Sequence, residues 1–163
     1  MKILIAYTTK SGTTRTCAEK LAALLPQHEV TLADLSLDDN AHPNDYDFIV
    51  VGSSIRMGKI HRTVKKFTDS STLAPAKYAL FICCGDDSRT KEYFRKNFSP
   101  TLLDCALVYT SLGGEFKLDK QSKLDRFLLK AFIESNREND DFVMPTIYTE
   151  EIGRLADKIK ACT

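Results

Sequence analysis

Apolar residues fall in short unbroken runs separated by stretches with helical spacing, and that alternation predicts the fold class. Ile3 to Tyr7 is apolar throughout, the pattern of a strand buried on both faces. Phe48 to Val51 has the same character and reads as central, while Glu29 to Ala33 is short and mixed, as an edge strand would be. Tyr78 to Cys83 is a further strand, and Ala106 to Tyr109 begins a fifth that ends at Gly113-Gly114. The intervening segments place apolar residues on one helical face: Cys17, Leu21, Leu24 and Leu25; then Ile60, Val64 and Phe67. Further helices are expected over Ser88 to Phe98, broken at Pro100, over Lys117 to Arg137, and over Glu150 to Cys162, where Ile152, Leu155, Ala156 and Ile159 face inward. Strands alternating with helices imply parallel crossovers and helices on both faces of one sheet. No repeat, low-complexity tract or linker interrupts residues 1–163, so one α/β domain is expected.

The junction of the first strand with the first helix carries the clearest chemistry. Thr8-Thr9-Lys10-Ser11-Gly12-Thr13-Thr14 is a hydroxyl-rich turn around one glycine. The first N–H groups of a helix lack intrahelical partners and the helix dipole favours negative charge there, so such a turn suits a phosphate. The turn has neither the GxGxxG of a dinucleotide fold nor the GxxxxGK[ST] of a triphosphate loop. Uncharged donors with only Lys10 as a cation fit a lone phosphate monoester. A capped helix whose hydroxyls satisfy only its own first turn is the alternative, although five hydroxyl residues in seven positions exceed one cap's needs.

Thr9-Lys10-Ser11-Gly12-Thr13-Thr14 resembles the [ST]-x-[ST]-G-x-T phosphate loop of flavodoxins. The resemblance implies FMN as cofactor, with the hydroxyls of Thr9, Ser11 and Thr14 and the amides of Lys10 to Thr14 around its phosphate. It implies a flavodoxin-like doubly wound sandwich with a five-stranded parallel sheet in the order 2-1-3-4-5, whose ligand sits at the carboxyl ends of the strands. A second loop, Gly52-Ser53-Ser54-Ile55-Arg56-Met57-Gly58, would face the isoalloxazine ring, with Gly58 permitting a change of peptide orientation near flavin N5 and Met57 a candidate apolar cover. A third, Cys84-Gly85-Asp86-Asp87 followed by Glu92-Tyr93-Phe94, is similar to the flavodoxin C-G-D-x-S…E-Y-F stretch, where backbone amides meet the pyrimidine side of the ring.

Two further stretches narrow the resemblance. Gly52 to His61 is similar to the G-[AS]-S-I-R-x-G-x-x-H segment of the flavodoxin-like, menaquinone-dependent protoporphyrinogen oxidase family. Gly113-Gly114-Glu115-Phe116-Lys117 and Leu124 to Lys130 resemble that family's G-[AG]-x-…-D-R-F-x-x-K insertion. The third loop is closer to flavodoxins than to the oxidase, and the aromatic that stacks on the outer ring face of flavodoxins has no counterpart within Arg89-Thr90-Lys91.

Composition adds limits. A hydrophobic fraction of 43%, a charged fraction of 28% and a net charge of +1 are ordinary for a globular protein and give no case for nucleic acid. Apolar runs fall short of a membrane span and Met1-Lys2 leads straight into a strand, so a cytoplasmic protein is expected. The five cysteines, Cys17, Cys83, Cys84, Cys105 and Cys162, show no metal spacing and read as reduced, mostly core thiols. Cys83 and Cys84, adjacent on a strand, should point to opposite faces. Lys10, Arg56, Lys59, Arg89 and Lys91 surround the ligand loops and are only partly offset by Asp86 and Asp87. Such a field should stabilise reduced, anionic FMN and suit two-electron exchange.

Two functional classes follow. One is an FMN-dependent oxidoreductase taking electrons from a reduced organic substrate, protoporphyrinogen being the candidate, and passing them to a quinone-type acceptor. The other is a flavodoxin-like carrier between redox partner proteins, with no substrate of its own. His61 is a weak catalytic candidate as a proton donor, with helix capping as its ordinary role. The segment 117–133, basic on one side and apolar on the other through Leu124, Phe127, Leu128, Ala131 and Phe132, is a candidate for peripheral contact with the inner membrane face, for partner docking, or for simple core packing.

Overall fold

The computed structural model describes residues 1–37, 42–69, 73, 77–115, 127, 130–131, 133–134 and 144–162. Five parallel strands, β1 (Lys2–Thr8), β2 (Glu29–Asp34), β3 (Phe48–Ser54), β4 (Lys77–Cys83) and β5 (Val108–Ser111), pair in the order β2-β1-β3-β4-β5. Helices α1 (Thr13–Ala23), α2 (Arg62–Asp69), α3 (Thr90–Asn97), α4 (Pro100–Cys105) and α5 (Thr149–Lys160) flank the sheet, with short 3-10 turns at Pro43–Asp45 and Asp87–Arg89. The expected doubly wound order is therefore present.

Strand periodicity sorts the core into two layers. Ile3, Ile5, Tyr7, Val50, Phe81 and Cys83 meet α1 and α5 on one face. Leu4, Ala6, Ile49, Val51, Leu80, Ile82 and Cys84 pack on the other, against Val64 of α2 and Tyr93 and Phe94 of α3. Cys83 and Cys84 thus part to opposite layers, as their adjacency requires. The Cys83 thiol lies 3.7 Å from that of Cys17, and hydrogen bonding to it together with burial pushes the Cys83 thiol well up. Ile152, Leu155, Ala156 and Ile159 form the buried face of α5 as their spacing predicted.

Several boundaries differ from expectation for local reasons. Leu24 is 40% exposed because α1 ends at Ala23; the chain turns at Leu24 and returns only Leu25 to the core. The helix expected from Ser88 begins at Thr90, after a tight turn over Asp87–Arg89 in which Asp86 accepts the Ser88 N–H. Pro100 opens α4 rather than merely ending α3. Its missing N–H falls where none is needed, and Ser99 caps the turn by accepting from Leu102 N–H. The helix expected over Lys117 to Arg137 lies outside the described residues, apart from exposed Phe127, Lys130, Ala131 and Glu134 and half-buried Ile133. No described helix is long and apolar enough to cross a membrane.

Gly52 pairs with Phe81 in the β3–β4 register, and a Cβ there would enter the fully buried Phe81 ring. Gly52→Ala should lower unfolding free energy by about 1–3 kcal/mol, seen as a lower denaturant midpoint at unchanged slope.

Candidate functional site

The sheet order reverses between β1 and β3, so the loops leaving these strands diverge around a crevice at their carboxyl ends. In the first loop, Gly12 adopts φ 89, the left-handed conformation open to a residue without a side chain. Its N–H donates to Thr9 Oγ1 at 3.0 Å, and its carbonyl accepts from Thr16 N–H at 3.0 Å. The helical ladder therefore starts at Thr16, and the amides of Thr13, Thr14 and Arg15 stand ahead of it. Ser11 Oγ and Thr13 Oγ1 are 3.4 Å apart, and Lys10 is exposed at the tip. Arg15 faces away, bonded to Tyr7 Oη at 3.2 Å and Asp34 at 3.0 Å, and these two partners raise its pKa.

One atom in this loop is decisive. Thr14 is fully buried, yet its Oγ1 has no hydrogen-bond partner beyond a weak interaction with the Cys83 thiol. Thr8 Oγ1, at the end of β1, is buried and unpartnered as well. Buried hydroxyls without partners are rare, since each costs about 1–3 kcal/mol. Together with the helix-end amides they form a donor set complementary to a phosphate dianion. The Gly12 amide, expected among the phosphate donors, is spent inside the loop on Thr9, whose own hydroxyl hydrogen stays available to donate.

The second loop is a tight reversal. Arg56 and Lys59 exchange backbone bonds of 2.9 and 3.0 Å around Met57 and Gly58, at φ 50 and 74. Met57 is 91% exposed, available to cover a ligand, whereas Ile55 is half-buried and its N–H donates to Cys83 O at 2.8 Å. Ser53 Oγ, fully buried, accepts from His61 N–H and donates to Ser54 O. His61 is exposed, and its Nδ1 accepts from Thr63 N–H at 3.3 Å, so the ring caps the start of α2. Asn97, which the sequence does not single out, grips this loop through Gly58 O and the Ile60 N–H.

In the third loop Gly85, Asp86 and Asp87 are exposed over buried Cys84. Ser111 Oγ donates to Asp87 Oδ1 at 2.8 Å and lies 3.5 Å from Cys84 Sγ. Asp87 holds the Tyr148 hydroxyl up to about 12 through hydrogen bonding, with burial adding to it. The backbone between β5 and α5 presses on the same loop: Cys84 N–H donates to Gly113 O at 3.0 Å, and a Cβ on Gly114 would come within 2.6 Å of Cys84 O. Thr8 belongs to the hydroxyl run already read from the sequence, whereas Asn97, Ser111 and Tyr148, which brace these loops, were not singled out there.

A sheet in the order β2-β1-β3-β4-β5 with a hydroxyl-rich, cation-poor turn at its switch point suits flavin mononucleotide better than a nucleoside triphosphate or a dinucleotide. The sequence profile of a family described as a flavodoxin domain matches residues 4–142, and the chain belongs to that family. Among curated proteins it is similar to the protoporphyrinogen IX dehydrogenase [quinone] of Escherichia coli K12, 25% identical over 97% of this chain and 98% of that one. Among solved structures it is similar in fold to the flavodoxin of Streptococcus pneumoniae TIGR4, with a TM-score of 0.58, 13% identity and full coverage of both chains. A short-chain flavodoxin associated with a bacterial microcompartment gives a TM-score of 0.58 at 18% identity, covering 100% of this chain and 99% of that one.

The groups around the site also set an alkaline limit. Burial raises the Cys84 thiol above its ordinary 9.0 and the Tyr93 phenol above its ordinary 10.0. Tyr148 is raised to about 12. The unfolded chain then releases these protons first, so it binds fewer protons than the native state and stability falls as pH rises. Unfolding free energy should be flat through neutrality and decline from about pH 9 upward, as denaturation series at stepped pH would show.

Proposed function

We propose that the chain is an FMN-dependent oxidoreductase that takes two electrons from a reduced organic substrate of the protoporphyrinogen class and delivers them to a quinone-type acceptor. The observation that carries the cofactor is the buried Thr14 hydroxyl, with only the Cys83 thiol beside it, next to helix-end amides that stand ahead of the helical ladder. Thr8, Thr9, Ser11 and Thr14 would hold the phosphate with the amides of Thr13 and Thr14. Residues 53–58 and 84–87 would line the two sides of the ring. FMN supplies the redox chemistry, accepting and releasing an electron pair. The residues orient it: Ser53 fixes the exit of β3, Asn97 fixes the loop tip, and the Asp87–Ser111 bond fixes the third loop.

Support for the substrate class comes from the similarity, along nearly the whole length of both chains, to a dehydrogenase of protoporphyrinogen IX that uses a quinone. Charge at the rim agrees with an anionic reduced cofactor: Lys10, Arg56, Lys59 and Lys91 are exposed there. Arg89 adds less than its charge implies, because Glu92 accepts both of its bonds at 2.7 and 2.9 Å. Phe127, 69% exposed within the basic segment 117–133, fits a face that approaches a membrane holding a lipid-soluble acceptor. A cytoplasmic protein with peripheral membrane contact accommodates these features. The second reading, a carrier docking redox proteins, is favoured by the acidic Cys84-Gly85-Asp86-Asp87 loop, which is flavodoxin-like.

Anaerobic oxidation of protoporphyrinogen IX by the FMN-loaded protein, with a menaquinone analogue as acceptor, should proceed catalytically. Electron exchange confined to a reductase and an acceptor protein would select the carrier instead. Thr14→Val should weaken FMN binding about tenfold by calorimetry while leaving the FMN-free protein as stable or about 1 kcal/mol more stable, because a buried hydroxyl with only the Cys83 thiol beside it is removed. Vesicles containing anionic lipid should carry the protein upward in flotation at low salt, and binding should fall as salt is raised.

A further inference from the structure

Charge is unevenly placed on this chain. Residues 56–69 and 90–97, the tip of the second loop with α2 and α3, hold eight Lys and Arg against two acids, in a chain whose net charge is +1. Both acids are already engaged, Asp69 by Lys65 and Glu92 by Arg89. Lys59, Arg62, Lys66, Lys91, Arg95 and Lys96 are exposed and enter no ion pair among the described residues. On the opposite face, the five cations of α1 and α5 meet four acids, and Arg15, Arg154 and Lys160 are ion-paired.

The fold also gathers this excess. α2 and α3 pack on the same face of the sheet through Val64, Tyr93 and Phe94. Asn97 draws the end of α3 onto the second loop, and Lys96 Nζ stands 3.4 Å from where a Cβ on Gly58 would lie. Met57, 91% exposed, is thus an apolar side chain at the tip of a narrow turn, flanked by Arg56, Lys59 and Lys96. Among the described residues it is the one large apolar side chain exposed on this loop, α2 or α3. The acids of the third loop, Asp86 and Asp87, precede the amino end of α3, not the end that meets Met57.

We infer that this face, the second loop with α2 and α3, is the surface by which the protein lies on an anionic lipid layer, with Met57 entering the headgroup region. The inference rests on the peripheral contact in the reading above and names a face for it. One exposed apolar side chain is too little for the apolar centre of a protein interface, whereas dispersed Lys and Arg each add attraction to anionic headgroups. Their long apolar stems can sink beside Met57 while the charges stay level with the phosphates. Docked in this way, the second loop brings the mouth of the crevice to the bilayer, where a lipid-soluble acceptor resides.

The full chain is mixed with vesicles of phosphatidylcholine, alone or with phosphatidylglycerol added, and bound protein is measured by flotation across a salt series. Lys59→Gln, Arg95→Gln and Lys96→Gln together should lower partition onto the phosphatidylglycerol vesicles at low salt at least about tenfold, since each cation at such a surface contributes about fivefold. The same loss of charge at exposed Lys2, Lys20 and Lys158 should lower it less than about threefold. The chain has no Trp, so Met57→Trp supplies a single indole. Brominated lipid in the vesicles should quench that indole and leave one introduced by Glu19→Trp on α1 unquenched. Equal effects of the two triple variants, or equal quenching at the two sites, would overturn the inference. Binding lost on neutralising Lys117, Lys120 and Lys123 but kept by the Lys59, Arg95 and Lys96 variant would pass the contact to segment 117–133, overturning the inference while the peripheral reading stands. Wild-type protein that binds neither kind of vesicle would remove both, as would salt-sensitive docking of an acidic redox protein on this face in place of lipid. Turnover with a soluble menaquinone analogue then judges the oxidoreductase reading separately.

Discussion

A hydroxyl sealed at the amino end of a helix with only the Cys83 thiol beside it is the constraint on which this molecule turns. Thr14 could be accommodated cheaply anywhere water reaches it, yet the close packing of α1 on β1, β3 and β4 buries it completely. The same packing aims the first-turn amides at the crevice and holds Gly12 left-handed so that the loop clears it. The core layer and the cradle are one object: the residues that bury α1, Cys17, Ala18 and Leu21, are those that fix where its dipole points. Loss of packing under α1 would blur the site before it unfolded the sheet.

The three loops are stiffened by different means. The first is held by its own hydroxyls, the second by a side-chain amide reaching from α3, and the third by a carboxylate tied to β5 and by backbone pressed down from the α5 side. One of these loops is nearly autonomous, and the other two depend on distant segments. The second and third loops are thus coupled to α3 and to the approach to α5, whereas the first is tied chiefly to α1 and the strands beneath it.

What the amino-acid order discloses follows from this division. The strands at Ile3, Phe48 and Tyr78 are legible because burial on both faces demands uninterrupted apolar runs, and the hydroxyl-rich turn is legible because its residues are contiguous. The ends of α1 and α3 are less so: Leu24 continues the helical spacing but serves as a cap, and Ser99-Pro100 reads as a stop while acting as a start. Asn97 and the Asp87–Ser111–Tyr148 group leave no local trace, since the loop partners of Asn97 lie 37 and 39 positions away and Asp87 lies 24 from Ser111 and 61 from Tyr148, so these groups meet only after the sheet has formed. His61 shows the converse, a chemically versatile side chain whose ring nitrogen is committed to a helix end.

The contact between Cys17 and Cys83 has a bearing on durability. Sulfur is the atom most easily diverted by stray oxidants, and here two sulfurs lie directly below a loop proposed to handle electrons. Hydrogen bonding to Cys17 and burial push the Cys83 thiol well up, and a protonated thiol is a poor nucleophile. Peroxide generated by leakage at the crevice would therefore find its targets at exposed Cys105 or half-exposed Cys162, on the periphery, and the core would age more slowly than the surface.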